Sequence, residues 1–131
     1  MVTGCLVINA QAETRPLAGP LSLDRAGVRV PLDTPYVVSR HPTEVCVRAA
    51  DGGNLRYRHR EEGGSVRIDV WGELETDRGA KLALKPASYG GDERLCLVAP
   101  GLRWRMRVVA IRLASSEPVA IREVKWLRET R

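Results

Sequence analysis

Phenylalanine is absent from this chain of 131 residues, and histidine occurs only twice. A core without phenylalanine must be assembled from valine, leucine, isoleucine, alanine and the few tryptophans and tyrosines. Aromatic residues make up 5% of the chain, which is thin for a platform on which successive nucleic-acid bases stack. Cysteine is also scarce: Cys5, Cys46 and Cys96 are odd in number, far apart and without a CxxC pair. That spacing argues against a disulfide framework and against a zinc knuckle. Cys46 and Cys96 lie in the apolar runs TEVCVRA and ERLCLVA, where thiols are expected as small buried hydrophobes. A Cys46–Cys96 bridge would require their strands to pack face to face.

Long apolar runs are missing too. None approaches the roughly 20 residues that a membrane helix needs. The opening MVTGCLVINAQAE has neither the basic n-region nor the apolar length of a signal peptide. The expectation is a cytoplasmic or virion-packaged protein, or a domain of a longer exported chain. Catalytic motifs are lacking as well, with no GxSxG, HExxH or phosphate-binding loop. His41 (in SRHPTE) and His59 would need Cys46, Ser39 or Asp69 beside them, and no spacing puts them there. Asp69, Glu73, Glu75 and Asp77 in DVWGELETD have no EF-hand spacing. The chain is therefore expected to be non-catalytic, without cofactor or metal.

What is present is charge and alternation. Net charge is +5, with 21 basic residues against 16 acidic ones. Most of the excess falls in residues 66–131. Such a balance suits an acidic partner, or only solubility. Apolar and polar residues alternate with period two over residues 5–9, 27–31, 35–39, 44–49, 54–60, 65–72, 80–85, 94–99, 103–114 and 118–127, the signature of half-buried strands. Turn-forming clusters such as DGG, EEGG, SYGGDE and APG separate them. No helical period is sustained. Short strands at this spacing predict a single all-β domain over residues 1–131, an antiparallel two-sheet β-sandwich. Residues 10–26 are the least patterned and are expected to be a loop, a linker or an arm reaching a neighbouring subunit.

In GLRWRMRVVAIRL the alternation changes phase at Val108–Val109. Two adjacent apolar residues in an alternating strand predict a β-bulge or a strand that bends between sheets. The same holds between Ile121 and Val124. With Trp104 and Met106 assigned to the core, and Trp126 likewise, Arg103, Arg105 and Arg107 would share the outer face. LRYRHR adds Arg56, Arg58 and Arg60. Arginine's planar fork suits carboxylate and phosphate, so these rows are candidates for an anionic ligand or an acidic partner surface. A solvated face paired to Asp69, Glu61, Glu62 and Glu73 is the plainer alternative. Trp71 shares a face with Arg67 and Asp69, and Tyr89 sits at an expected loop tip. Exposed rings beside polar groups are what a sugar-binding face requires.

The last strands, WRMRVVAIRLASSEPVAIREVKWL, resemble the closing hairpin of galactose-binding-like jelly-roll domains, and SVRIDVWGE with AKLALKP is similar to their middle strands. The likeness implies a jelly-roll sandwich that binds a carbohydrate, lipid headgroup or protein through loops at one end. An N-terminal segment of their type is not found beyond Asn9–Glu13. The reading that follows is a non-catalytic carbohydrate-binding module, with Trp71, Arg67, Asp69, Tyr89, Arg56, Arg58, Arg103 and Arg105 as contacts. The alternative is a structural or assembly protein, a virion component or an oligomer-forming domain.

Overall fold

The computed structural model describes residues 12–129 of the chain. Eleven strands and no helix occur among the described residues. They are β1 (Ala12–Ala18), β2 (Leu21–Leu23), β3 (Val28–Val37), β4 (Thr43–Ala49), β5 (Tyr57–His59), β6 (Ser65–Arg67), β7 (Val70–Thr76), β8 (Lys81–Gly90), β9 (Arg94–Val98), β10 (Arg107–Ser115) and β11 (Val119–Glu129). The all-β, antiparallel expectation therefore holds. The run at 5–9 and Cys5 lie outside the described residues.

Hydrogen bonding runs unbroken through eight strands in the order β1-β11-β4-β9-β8-β7-β10-β3, with β2 also on β11 and β5–β6 as a separate hairpin. β8 joins the two halves: Lys81–Leu84 pair with β7, and Lys85–Gly90 pair with β9. The sheet curls until its edges approach, and the Arg15 guanidinium on β1 donates to the Thr34 carbonyl on β3 at 3.0 Å. The result is a nearly closed barrel.

Alternation decides what lies inside. On β4, Val45, Val47 and Ala49 are buried in the core while Arg48 is exposed. Leu74, Leu84, Leu95, Leu97, Val108, Ile111, Leu113, Ile121 and Val124 complete the interior. Trp126 is 2% exposed and stacks on Tyr36 with ring centroids 4.5 Å apart, so its assignment to the core is borne out. Tyr36 shares a hydrogen bond of 3.0 Å with the Thr43 hydroxyl, which satisfies a buried phenol.

Both phase changes in the sequence are bulges. The register of β10 slips between Val108 and Ala110 against both neighbours, and that of β11 slips between Ile121 and Glu123. An extra residue on one strand restores inward packing after the slip.

Other expectations fail for identifiable reasons. Residues 10–26 are not an arm where they are described: β1 and β2 both pair with β11 of the same chain. β11 has eleven residues and supplies backbone partners even to a poorly patterned segment. The runs 27–31 and 35–39 form one strand, because both pair with β10 around its bulge. The run 65–72 breaks at Ile68–Asp69, where Ile68 enters the core and β7 begins. The run 103–114 starts only at Arg107.

Cys46 and Cys96 are joined in a disulfide, not left as free thiols. Their strands do not pack face to face. They are neighbours in one sheet, and the two cysteines are direct cross-strand partners with Cα atoms 4.0 Å apart. Such closeness is the property of a non-hydrogen-bonded antiparallel pair. No helix among the described residues is long and apolar enough to cross a membrane.

Candidate functional site

Antiparallel strands send successive connections to alternate ends of the barrel. The β3–β4, β7–β8 and β9–β10 connections open at one end. The β5–β6 hairpin and the β8–β9 and β10–β11 turns open at the other. The eight residues singled out from the sequence are divided between these ends. Arg56, Arg58, Arg67, Asp69, Trp71 and Tyr89 lie toward the hairpin end, and Arg103 and Arg105 at the opposite one.

At the hairpin end the three arginines proposed as contacts each face a carboxylate, whereas Arg60 in the hairpin loop has no ion pair among the described residues. Arg56 lies 3.6 Å from Asp92, Arg58 3.5 Å from Glu117, and Arg67 3.6 Å from Asp69. Arg56 also lies over the Tyr89 ring, 4.2 Å from its centroid. Trp71 is exposed, at 40%, and stands opposite Ala114 of β10. The neighbouring acids of β7 are likewise engaged, Glu73 with Lys81 and Glu75 with Arg29. The Arg29 hydrogen bonds to Glu75 hold that carboxyl below its usual value, against a smaller opposing effect of desolvation.

The opposite end is built differently. Residues 99–106 are not strand. Two tight turns, closed by Leu102 N–H to the Ala99 carbonyl and Met106 N–H to the Arg103 carbonyl, throw the RWR triplet outward. Arg105 adopts a left-handed backbone, φ 74°, a conformation that costs a bulky residue on the order of 1–3 kcal/mol. It is held there from the side of β3: Arg105 N–H donates to the Val38 carbonyl and Val38 N–H to the Met106 carbonyl, both at 2.9 Å. On the other side Asp77 N–H donates to the Arg107 carbonyl at 3.0 Å. The three connections are thus stitched into one surface.

Trp104 is the centre of that surface. Its expected place in the core is wrong: the ring is 48% exposed. The alternation in RWRMR suggests a strand, but Pro100–Gly101 and the left-handed Arg105 interrupt it before Trp104 can turn inward. The guanidinium carbons of Arg40 and Arg105 lie 4.0 and 4.3 Å from the ring centroid. One shallow cleft beside the ring is lined by Asp77, Arg78, Arg103, Arg105, Met106 and Arg107 among others. A second, on the β3–β4 side, is lined by Arg40, His41, Pro42, Leu102 and Trp104 among others.

Ion pairing distinguishes Arg56, Arg58 and Arg67 from the arginines around Trp104. Among the described residues Arg40, Arg78, Arg103, Arg105 and Arg107 form no salt bridge, and Asp77 is the one carboxylate in either cleft lining. Five guanidinium groups without a carboxylate partner, of which Arg103 donates to the Pro100 and Leu102 carbonyls, surround an exposed indole and form an anion-receptive surface. Stacking on the ring restrains two of these long side chains, which lowers the entropy lost when they grip a ligand.

For acid–base or nucleophilic chemistry the arrangement offers little. His41 and His59 are at opposite ends of the barrel, and Cys46 is committed to its disulfide. Arg40, three residues beyond Val37, belonged to no row in the sequence, and only the packing of two connections brings it to Trp104. No protein-family model matches the chain, and no curated protein matches it.

Proposed function

We propose that this chain is a non-catalytic binding module for acidic carbohydrate, and that the Trp104 end is its binding face. The observation that carries the reading is the coincidence of an exposed indole with five arginines that no carboxylate neutralises. The part of the half-exposed indole that Arg40 and Arg105 leave uncovered offers an apolar surface to the C–H face of a pyranose. The guanidinium forks beside it match the carboxylate of a uronic acid or a sulfate ester. The two clefts flanking the ring leave space for sugar units on either side of it.

The proposal keeps the sandwich of galactose-binding-like type as its architectural reading. One feature supports it, since β8 serves both halves of the sheet. The expected closing hairpin is not formed, because β10 pairs with β3 and β7 while β11 pairs with β1, β2 and β4. Trp71, with Arg67 and Asp69, remains the second place where a sugar could stack.

The test is titration of the purified chain with uronate-containing, sulfated and neutral oligosaccharides, followed by tryptophan emission and heat. Acidic glycans are expected to bind, and binding is expected to weaken at about 0.5 M salt because exposed charges are screened. Trp104→Ala is expected to abolish binding and Trp71→Ala to preserve it; the reverse pattern moves the site to the hairpin end. Equal binding of neutral glycans overturns the ionic part of the reading. No glycan binding, together with a stable oligomer in sedimentation, replaces it with the assembly role.

A further inference from the structure

The wall of the barrel, away from both ends, carries a second constellation. Sheet register places Lys125, Cys46, Cys96 and Ser88 in one row across β11, β4, β9 and β8. Their neighbours Val45, Val47, Leu95 and Leu97 point into the core, so this row faces outward. The two cysteines are nevertheless buried, at 2% and 5%, beneath a cleft lined by Cys46, Val47, Arg48, Arg94, Glu123 and Lys125. Glu44, two residues before Cys46 on the same strand, joins them: its carboxylate oxygen and the two sulfurs all lie within 4.8 Å of one another.

We propose that Glu44, Cys46 and Cys96 form a site for a thiophilic divalent metal of the zinc class, present only when the disulfide is reduced. Zinc binds thiolate sulfur at about 2.3 Å and carboxylate oxygen at about 2.0–2.2 Å. Ligand atoms on one tetrahedral centre are then roughly 3.5–3.8 Å apart. The two sulfurs lie together because they are bonded to each other, and after reduction they must separate to this spacing. As direct cross-strand partners they can do so by side-chain rotation, with Glu44 beside them and no change in strand register. Paired sulfurs select zinc or cadmium over calcium or magnesium.

In the oxidised chain the sulfurs are bonded to each other and neither is a thiolate. A dithiol reductant supplies two electrons and two protons, breaks the S–S bond and leaves as its own disulfide, giving two cysteine thiols. The incoming divalent ion displaces both thiol protons to solvent and takes the Glu44 carboxylate as third ligand, with water as the fourth. Two thiolates and one carboxylate leave the occupied site with one net negative charge. Arg94 and Lys125 around the cleft offset it, with Glu123 opposing and Arg48 already facing Glu93. The cleft also supplies the route from solvent to otherwise buried sulfurs. The site owes nothing to the carbohydrate reading and stands or falls independently.

The experiment uses the full chain carrying Cys5→Ser, so that only the pair is read. The chain is reduced with a dithiol, freed of reductant under nitrogen and titrated with Cd²⁺, following the near-ultraviolet thiolate-to-metal absorption. The expected result is a band saturating at one equivalent, absent from the unreduced chain, lost in Cys46→Ser, and retained with weaker affinity in Glu44→Gln. Tryptophan emission reports whether the buried Trp126 stays buried after reduction. Absence of the band in folded, reduced protein overturns the site, and so does unfolding on reduction. An unchanged affinity in Glu44→Gln overturns the third ligand. A band in the unreduced chain overturns the redox gate.

Discussion

The guanidinium carbon of Arg40 lies 4.0 Å from the centroid of the Trp104 ring, although the two residues are more than sixty positions apart. Arg40 comes from the β3–β4 connection and Trp104 from the β9–β10 connection. Their contact is made at the surface, where a cation over an indole contributes about 0.5–1 kcal/mol. Arg40→Ala is therefore expected to leave thermal stability nearly unchanged. It is expected to weaken acidic-glycan binding and to flatten its dependence on salt. Melting curves and titrations at two salt concentrations check this.

Arg105 presents the opposite case, since its backbone is strained while its side chain is engaged. Glycine carries no penalty at positive φ. Arg105→Gly is expected to hold or raise the melting temperature while weakening anionic-ligand binding. Arg105→Ala keeps the strain and loses the guanidinium, so it is expected to be the less stable of the two. Parallel melts of the three proteins decide the matter.

Gly72 sits where β7 meets β10. A Cβ there would collide with the Arg112 carbonyl oxygen and press on the Leu113 side chain. The obstacle is backbone, which cannot rotate away. Gly72→Ala is expected to destabilise the chain by on the order of 1–3 kcal/mol or more. Denaturant unfolding would show it, and glycan affinity of the fraction that remains folded should be unchanged.

Glu75 makes stability depend on pH. Its carboxyl is held below the ordinary 4.5, first by the hydrogen bonds from Arg29, with desolvation opposing and the charges of Arg29, Lys81 and Arg112 adding to the lowering. A group lowered on folding stabilises fully above its unfolded value and loses that contribution as pH falls through its folded value. The melting temperature is expected to fall on acidification below about pH 4.5. Glu75→Gln is expected to reduce that slope and to lie below the parent protein at neutral pH. Melting curves across pH 3 to 7 in both proteins, about six points each, measure it.

Much of the fold was legible because alternation is a local property. Trp126 is placed inward by period two alone, and the buried Val45, Val47, Leu95, Leu97, Ile111 and Leu113 follow the same alternation in the structure. The doubled apolar residues at Val108–Val109 announced a bulge or a bend before any partner strand was known, and the structure has a register shift there. The failures occurred where local pattern and backbone conformation disagree. RWRMR alternates like a strand, yet its turns and the left-handed Arg105 send Trp104 to the surface. The candidate site was legible in part: Arg103 and Arg105 were visible as a row, whereas Arg40 and Arg78 lay in other connections.

By itself the sequence determined an antiparallel all-β chain, many of its inward-facing residues, the positions of its bulges and its basic excess. Each of these depends on neighbours within a few positions and on the two-residue period of a strand. The tertiary structure alone decided strand order, the cross-strand pairing of Cys46 with Cys96, and which arginines carry a carboxylate partner. These relations join residues distant in the chain, and they arise only when strands settle side by side and connections gather at one end of the barrel. Charge composition counts the arginines, but only packing separates the paired Arg56, Arg58 and Arg67 from the unpaired ones around Trp104.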